Sequence, residues 1–227
     1  YFQAYTNTFT RVKELREQFR VATEFLDVCG FVVVTRPDCV SDGVFELWNE
    51  YLEKTFLAVE LGVQSFNEEQ LVWMRRGHTA ERSQRAILRI KKMCPNIDLG
   101  IHLMFGLPGE TDEQIVETAK TVNSLPIDNV KLHNLHVLKN TPLEDDYLGG
   151  KFVPVDRQTY GDRVILFLEH LRPNIAVHRL TAVASRHEEL VAPRWTGQKM
   201  TSYQYILDLL KEKGARQGQA LQAFARA

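Results

Sequence analysis

Apolar positions along this chain switch between two spacings: every second residue, as in a strand, and every third or fourth, as in a helix. Leu99, Ile101, Leu103 and Phe105 share one strand face, and Gly100, His102, Met104 and Gly106 share the other. The turn Gly106-Leu107-Pro108-Gly109 then breaks the strand with residues that let backbone come close to a ligand. Thr111 opens a helix over 112–124, with Asp112 and Glu113 in its first turn. The same alternation predicts strands over 1–6, 30–36, 55–65, 129–137 and 175–180. It predicts helices over 11–25, 42–54, 81–93, 156–171 and 203–213, with a further one capped by Asn67. Residues up to Gly150 after the 129–137 strand read as a polar loop, and the tail after Gly214 has few anchoring residues. Strand–helix alternation of this kind makes a parallel sheet with helical crossovers, either doubly wound or curved into a barrel.

The strand faces decide between these two. Leu57, Val59, Leu61 and Val63 are apolar, whereas Ala58, Glu60, Gly62 and Gln64 face the other way. Lys131 and His133 share a face opposite Val130 and Leu132; Gln3 shares one with Tyr5; Ala176 and His178 oppose Ile175 and Val177. A doubly wound sheet is apolar on both faces, and a tightly closed barrel is filled with branched apolar side chains. Gln3, Tyr5, Glu60, Gln64, His102, Lys131, His133 and His178 suit neither interior without a polar ligand, because unpaired buried polar groups are costly. The expectation is a partial, laterally open barrel around a polar ligand.

Composition narrows the function classes. The 227 residues, 44% hydrophobic and 25% charged, suffice for one substantial α/β domain. A formal net charge of −1 gives no global field for nucleic acid or anionic membrane. No apolar run approaches membrane-spanning length and no secretory signal is present, so no membrane partner and a cytoplasmic location are expected. Cys29, Cys39 and Cys94 are odd in number and widely spaced, which favours free thiols over a disulfide framework. No Walker loop, G-x-G-x-x-G fingerprint or G-x-S-x-G elbow occurs. His133 and His136 point to opposite strand faces and make a poor joint metal site, although His102, His133 and His178 could meet across a barrel.

Eight segments in order, YFQAYTNT (1–8), TRPDC (35–39), ELGVQS (60–65), RGHT (76–79), MFGLPGE (104–110), KLHNLH (131–136), TPL (141–143) and HRLT (178–181), resemble the radical S-adenosylmethionine (SAM) superfamily. Within it they are most similar to a bacterial branch related to the elongator-type radical SAM proteins. The resemblance implies a partial (β/α)6 barrel over 1–181, with 182–227 forming a C-terminal loop, helix and tail packed on it. It implies a [4Fe-4S] cluster that cleaves SAM to a 5′-deoxyadenosyl radical, supplied with electrons by a reductant such as flavodoxin or ferredoxin. The family's cysteine trio is not in this sequence. The resemblance places it upstream of Tyr1, so this chain alone is expected to lack the cluster and to be inactive.

By the same resemblance, Gln3 and Tyr5 receive the methionine amino group, and Gln64 and Arg76 hold ribose and carboxylate, Arg being suited to the latter as a charged fork donor. His102 contacts the ribose, and Met104, Gly106 and Leu107 line the adenine. Val34 stands where coproporphyrinogen-type relatives have a carboxylate, with Glu60 as its substitute. Lys131 and His133 act on substrate, and the elongator-type relatives imply a transfer-RNA wobble uridine. Lys131, His133, Lys139, Arg179, Arg186, Arg194 and Lys199 offer a basic rim for its phosphates. Two other readings stay open: a cluster-free barrel lyase or hydrolase with a metal on His102, His133 and His178, and a noncatalytic RNA-binding barrel.

Overall fold

The structure, a computed structural model, describes residues 1–3, 6–25, 27–184 and 187–224, with side chains to residue 221. The elements in chain order are α1 (Val12–Thr23), β1 (Gly30–Thr35), α2 (Asp42–Leu52), β2 (Phe56–Gln64), α3 (Glu68–Trp73), α4 (Ala80–Met93), β3 (Asp98–Phe105) and α5 (Asp112–Ser124). They continue with β4 (Asn129–Asn134), β5 (Val137–Leu138), α6 (Pro142–Leu148), α7 (Arg157–His170), β6 (Ala176–Arg179), β7 (Leu190–Ala192), α8 (Lys199–Glu212) and α9 (Gln219–Phe224). Strands β1, β2, β3, β4 and β6 form a parallel sheet in that order, which does not close on itself. Each crossover between its strands contains at least one helix, as parallel neighbours require. The β1–β2 register runs from Gly30 opposite Phe56 to Thr35 opposite Leu61. Strands β5 and β7 make a separate antiparallel ribbon.

The chain divides into two compact units, residues 1–102 with 125–129, and residues 103–124 with 130–227. In the first, α1 presents Leu15 and Phe19, both fully buried. Phe19 packs on Phe2, Phe31 and Tyr51 with ring centroids 4.9–5.2 Å apart, near the contact optimum for aromatic rings. β1 is buried at alternate positions, whereas β2 is buried from Leu57 to Val63, including Ala58, Glu60 and Gly62. Of the strand expected over 1–6, residues 4 and 5 lie outside the described residues, and Phe2 makes a parallel bridge with Val33. Asn7 follows that bridge, and its side-chain amide donates to the carbonyls of Phe2 and Val34, both at 2.8 Å.

In the second unit α7 supplies the core. Phe105 packs on Phe167 at 5.2 Å, and the buried Tyr160 donates to Leu180 O at 2.8 Å. Two expectations are corrected here. The segment read as a polar loop through Gly150 contains α6, started by Thr141, whose hydroxyl accepts from Glu144 N, and by Pro142 in the first turn. The tail after Gly214 is anchored: Gly218 N donates to Leu168 O, the Gln217 amide to the carbonyls of Arg172 and Ile175, and Gln219 to Glu169, before α9 forms. No helix of the described residues is long and apolar enough to cross a membrane.

Candidate functional site

The C-terminal end of β2 carries the most distinctive geometry of the first unit. Gln64, its last residue, has φ +70°, a left-handed conformation that non-glycine residues adopt at a cost of roughly 1–3 kcal/mol and that concentrates at functional sites. Two residues earlier, Gly62 leaves room for two polar side chains. A Cβ there would lie 3.1 Å from Gln64 Nε2 and 3.5 Å from Arg76 Nη2. Arg76 Nη2 donates to Gly62 O at 2.8 Å, and its Nε is buried with no hydrogen-bond partner among the described residues. Burial, and then the charge of Arg36, lower the Arg76 pKa against the opposing pull of Asp38. A half-buried guanidinium held at one nitrogen keeps the rest of its fork as a donor for a carboxylate.

Deeper along the same strand Glu60 is 4% exposed. Its Oε2 accepts from Tyr1 OH and from His102 Nε2, each at 2.8 Å. A carboxylate oxygen can only accept, so the His102 proton facing it sits on Nε2. Glu60 and His102, expected on polar inner faces, are therefore brought together, and so are Gln64 and Arg76. Gln3 is exposed, and Tyr5 lies outside the described residues.

The second unit holds the glycine turn. Gly106 has φ +84° and Gly109 φ +69°. A Cβ on Gly106 would meet Val155 Cγ2 at 2.7 Å, so both conformation and space require glycine there. Leu107 is buried and Met104 half-buried. The turn is fastened by Glu110, whose Oε2 accepts from Gly106 N at 2.7 Å and from Arg163 Nη1 at 2.9 Å. Arg163 Nη2 also donates to Glu110 O at 2.6 Å. Neither Glu110 nor Arg163 carries a local sequence signal for this pairing. The glutamate was visible at the end of MFGLPGE, but its partner lies 53 residues on. On β4, Lys131 and His133 are half-buried and separated by buried Leu132. Beyond them the buried Asn134 binds His136 Nε2 through its amide nitrogen, while its oxygen accepts from Thr181 Oγ1 and Ala182 N, all at 2.8 Å. Burial, and the charge of Arg179, lower the His136 pKa.

His178 is exposed on β6, and the basic-rim residue Arg186 lies outside the described residues. Among the described residues no group of three or more His, Cys, Asp or Glu side chains is placed to hold a metal ion. The three-histidine metal site therefore has no donor set to rest on. Cys29 is exposed, Cys39 half-buried and Cys94 buried, and none of them is in a disulfide.

Together these features define an α/β protein with polar side chains and a glycine turn at the C-terminal ends of parallel strands, where barrel enzymes assemble their sites. Residues 4–122 match the radical SAM superfamily and residues 127–212 the radical SAM C-terminal domain. The chain belongs to the radical SAM superfamily. It is 35% identical over 222 residues to the YtqA protein of Bacillus subtilis, covering 98% of this chain and 68% of YtqA. It is 31% identical over 144 residues to a tRNA uridine(34) acetyltransferase of Methanocaldococcus infernus, covering 62% of this chain and 26% of that protein. Among solved structures, the archaeal Elp3 of Methanocaldococcus infernus with an N-terminal deletion superposes with a TM-score of 0.67 at 23% identity, over 83% of this chain and 43% of that one. The fold is accordingly the partial, open (β/α) barrel of the radical SAM type.

Proposed function

We propose that this chain is the SAM-binding part of a radical SAM enzyme, and that the complete protein modifies a transfer RNA. The observation that carries the reading is the Gln64–Gly62–Arg76 arrangement. A glutamine held at φ +70° beside a half-buried arginine fork anchored at Gly62 O suits a zwitterionic ligand with hydroxyls such as SAM. In the first unit Arg76 takes the methionine carboxylate, Gln64 and His102 the ribose, Glu60 stands in for the carboxylate absent at Val34, and Gln3 and Tyr5 take the amino group. In the second, the backbone of the Gly106–Leu107 turn, with Met104, lines the adenine. Residues 1–181 form the barrel, and 182–227 form its C-terminal loop, helix and tail.

A [4Fe-4S] cluster does not fit the cysteines of this chain, because they are dispersed in burial and form no donor group among the described residues. Its ligands belong outside residues 1–227, and this chain's own residues bind and orient SAM. Lys131 and His133 act on the substrate. A transfer-RNA wobble uridine is supported by the tRNA uridine(34) acetyltransferase relative, and electrons come from a flavodoxin- or ferredoxin-type reductant. The test is anaerobic reconstitution of the complete protein, followed by 5′-deoxyadenosine measurement with dithionite, with and without bulk transfer RNA. Product formation that rises with transfer RNA supports the reading. A reconstituted cluster with no 5′-deoxyadenosine in either condition overturns it.

A further inference from the structure

The string Arg76-Gly77-His78-Thr79 gives Arg76 a role and leaves His78 without one. His78 is 5% exposed, and its two ring nitrogens are both engaged. Nδ1 lies 3.1 Å from Ser83 Oγ, and Nε2 lies 3.4 Å from Arg76 Nη2. Ser83 is fully buried, and its Oγ also lies 3.2 Å from the Thr79 carbonyl. The proton directions follow from these partners. A carbonyl only accepts, so Ser83 spends its single hydroxyl proton on Thr79 O. Ser83 Oγ then accepts from His78 Nδ1–H, which leaves an unprotonated Nε2 facing the guanidinium. The relay runs from Arg76 to His78 to Ser83 to Thr79, and Thr79 is itself the cap of α4, accepting from Arg82 N at 3.1 Å.

We propose that His78, as the neutral Nδ1–H tautomer, is a positioning residue for SAM: with Gly62 O it fixes the plane of the Arg76 guanidinium and so aims the rest of the fork at the methionine carboxylate. The inference rests on reading Arg76 as the carboxylate donor. A planar guanidinium held only at Gly62 O turns about that one contact, and a second contact on the same nitrogen sets its plane. The surroundings keep the ring neutral. Burial lowers its pKa most and the Arg76 charge next, with Arg36 acting in the same direction. The backbone at Thr79 and the Asp38 charge pull the other way. Arg36 and Asp38 are paired at 2.6 Å, and they come this close because Gly77 has no side chain: a Cβ there would lie 2.6 Å from Arg36 Nη2. Protonating His78 would remove the Nε2 lone pair and set two cations 3.4 Å apart.

The test is calorimetric titration of the complete, anaerobically reconstituted protein with SAM from about pH 8 to about pH 5, spanning the ordinary histidine range. Wild-type affinity should hold at neutral pH and fall as His78 protonates, below the ordinary histidine value. H78Q keeps an acceptor and a donor, so it should bind within about threefold of wild type and lose that acid limb. H78L should bind about tenfold more weakly at every pH, the scale of one hydrogen bond to a charged group. R76A should weaken binding, with no further loss on adding H78L. If R76A leaves SAM affinity unchanged, the carboxylate reading of Arg76 fails. If R76A weakens binding while H78Q keeps the wild-type acid limb, or H78L costs nothing, only the positioning role of His78 fails. Should H78L not fold, the comparison of wild type with H78Q decides.

Discussion

Removing the Glu110 carboxylate should destabilise the second unit strongly. The Glu110 side chain is 2% exposed and that of Arg163 12%, so the pair is shielded from solvent. E110A leaves the guanidinium without the carboxylate and the Gly106 amide without its acceptor. Breaking one side of a buried ion pair costs about 3–5 kcal/mol, and R163M should fall at or below the low end of that range, because the carboxylate loses its cation but keeps the Gly106 amide. In a chain of this size that corresponds to roughly 6–20 °C in melting temperature. E110Q should cost less, since an amide oxygen in place of Oε2 still accepts from both donors and only the charge is lost. Replacing both residues, as E110M/R163M, should cost less than the sum of the singles, because no charge is then left buried. Thermal unfolding by circular dichroism gives the cycle, and exchange of the Gly106 amide reports the turn directly. Single-variant costs below about 1 kcal/mol, or a cycle that closes additively, would refute the claim that this pair fastens the turn.

Q64G should hold or raise stability by about 1 kcal/mol, because glycine adopts φ +70° freely, while SAM affinity falls with loss of the side chain; unfolding and calorimetry on the same variant separate the two effects. G106A should destabilise and also weaken SAM binding, since it meets Val155 at 2.7 Å and must hold φ +84°; binding equal to wild type would contradict the close-approach role. Alkylation of the native protein at about pH 8 should label exposed Cys29 and spare Cys94, which is buried with its thiol pushed up to about 11 by that burial; mass spectrometry of tryptic peptides reads the difference.

What was legible in the sequence is what is local. The helix predicted over 112–124 is found with those bounds, and the Asn67 cap is found with its side chain on Gln70 N. Their signals lie within one turn of the chain. The β5–β7 ribbon was not read, because Val137 pairs with Ala192 across 55 residues and neither strand exceeds three. Helix α6 was missed for another reason. Thr141-Pro142 is a helix start, but Gly149 and Gly150 close the segment after only seven helical residues, too few for an apolar stripe, and none of them is buried. In the site, strand alternation put Glu60 and His102 on matching faces, and they do bond. The resemblance singled out Arg76 and Gln64, while their meeting over Gly62 needed the fold. Glu110 ends MFGLPGE, but its partner Arg163 lies 53 residues on and is set by packing; His78 meets Arg76 and Ser83 only two and five residues away, through a turn whose shape no residue pattern specifies.

The two strand ends with left-handed backbone differ in what they can offer a ligand. At the end of β2 the backbone sits at φ +70° on a glutamine, although glycine would take that conformation without cost. Keeping a side chain where the backbone disfavours one implies that the amide itself has work to do, and Gly62 beneath it supplies the space. At the end of β3 the same handedness falls on Gly106, where a side chain is excluded twice over, by φ +84° and by Val155. There only the backbone can face a ligand, and the chain holds it with the Glu110 carboxylate rather than with packing alone. The side-chain donors of the first unit suit a charged, hydrogen-bonding ligand part, and the fixed backbone path of the second, taken by itself, suits a flat part read by shape. SAM has both: a zwitterionic amino acid with a ribose, and an adenine. A ligand lacking either part, free methionine or free adenosine, should therefore compete poorly with SAM, and equal competition by adenosine alone would show that the Arg76 end contributes nothing.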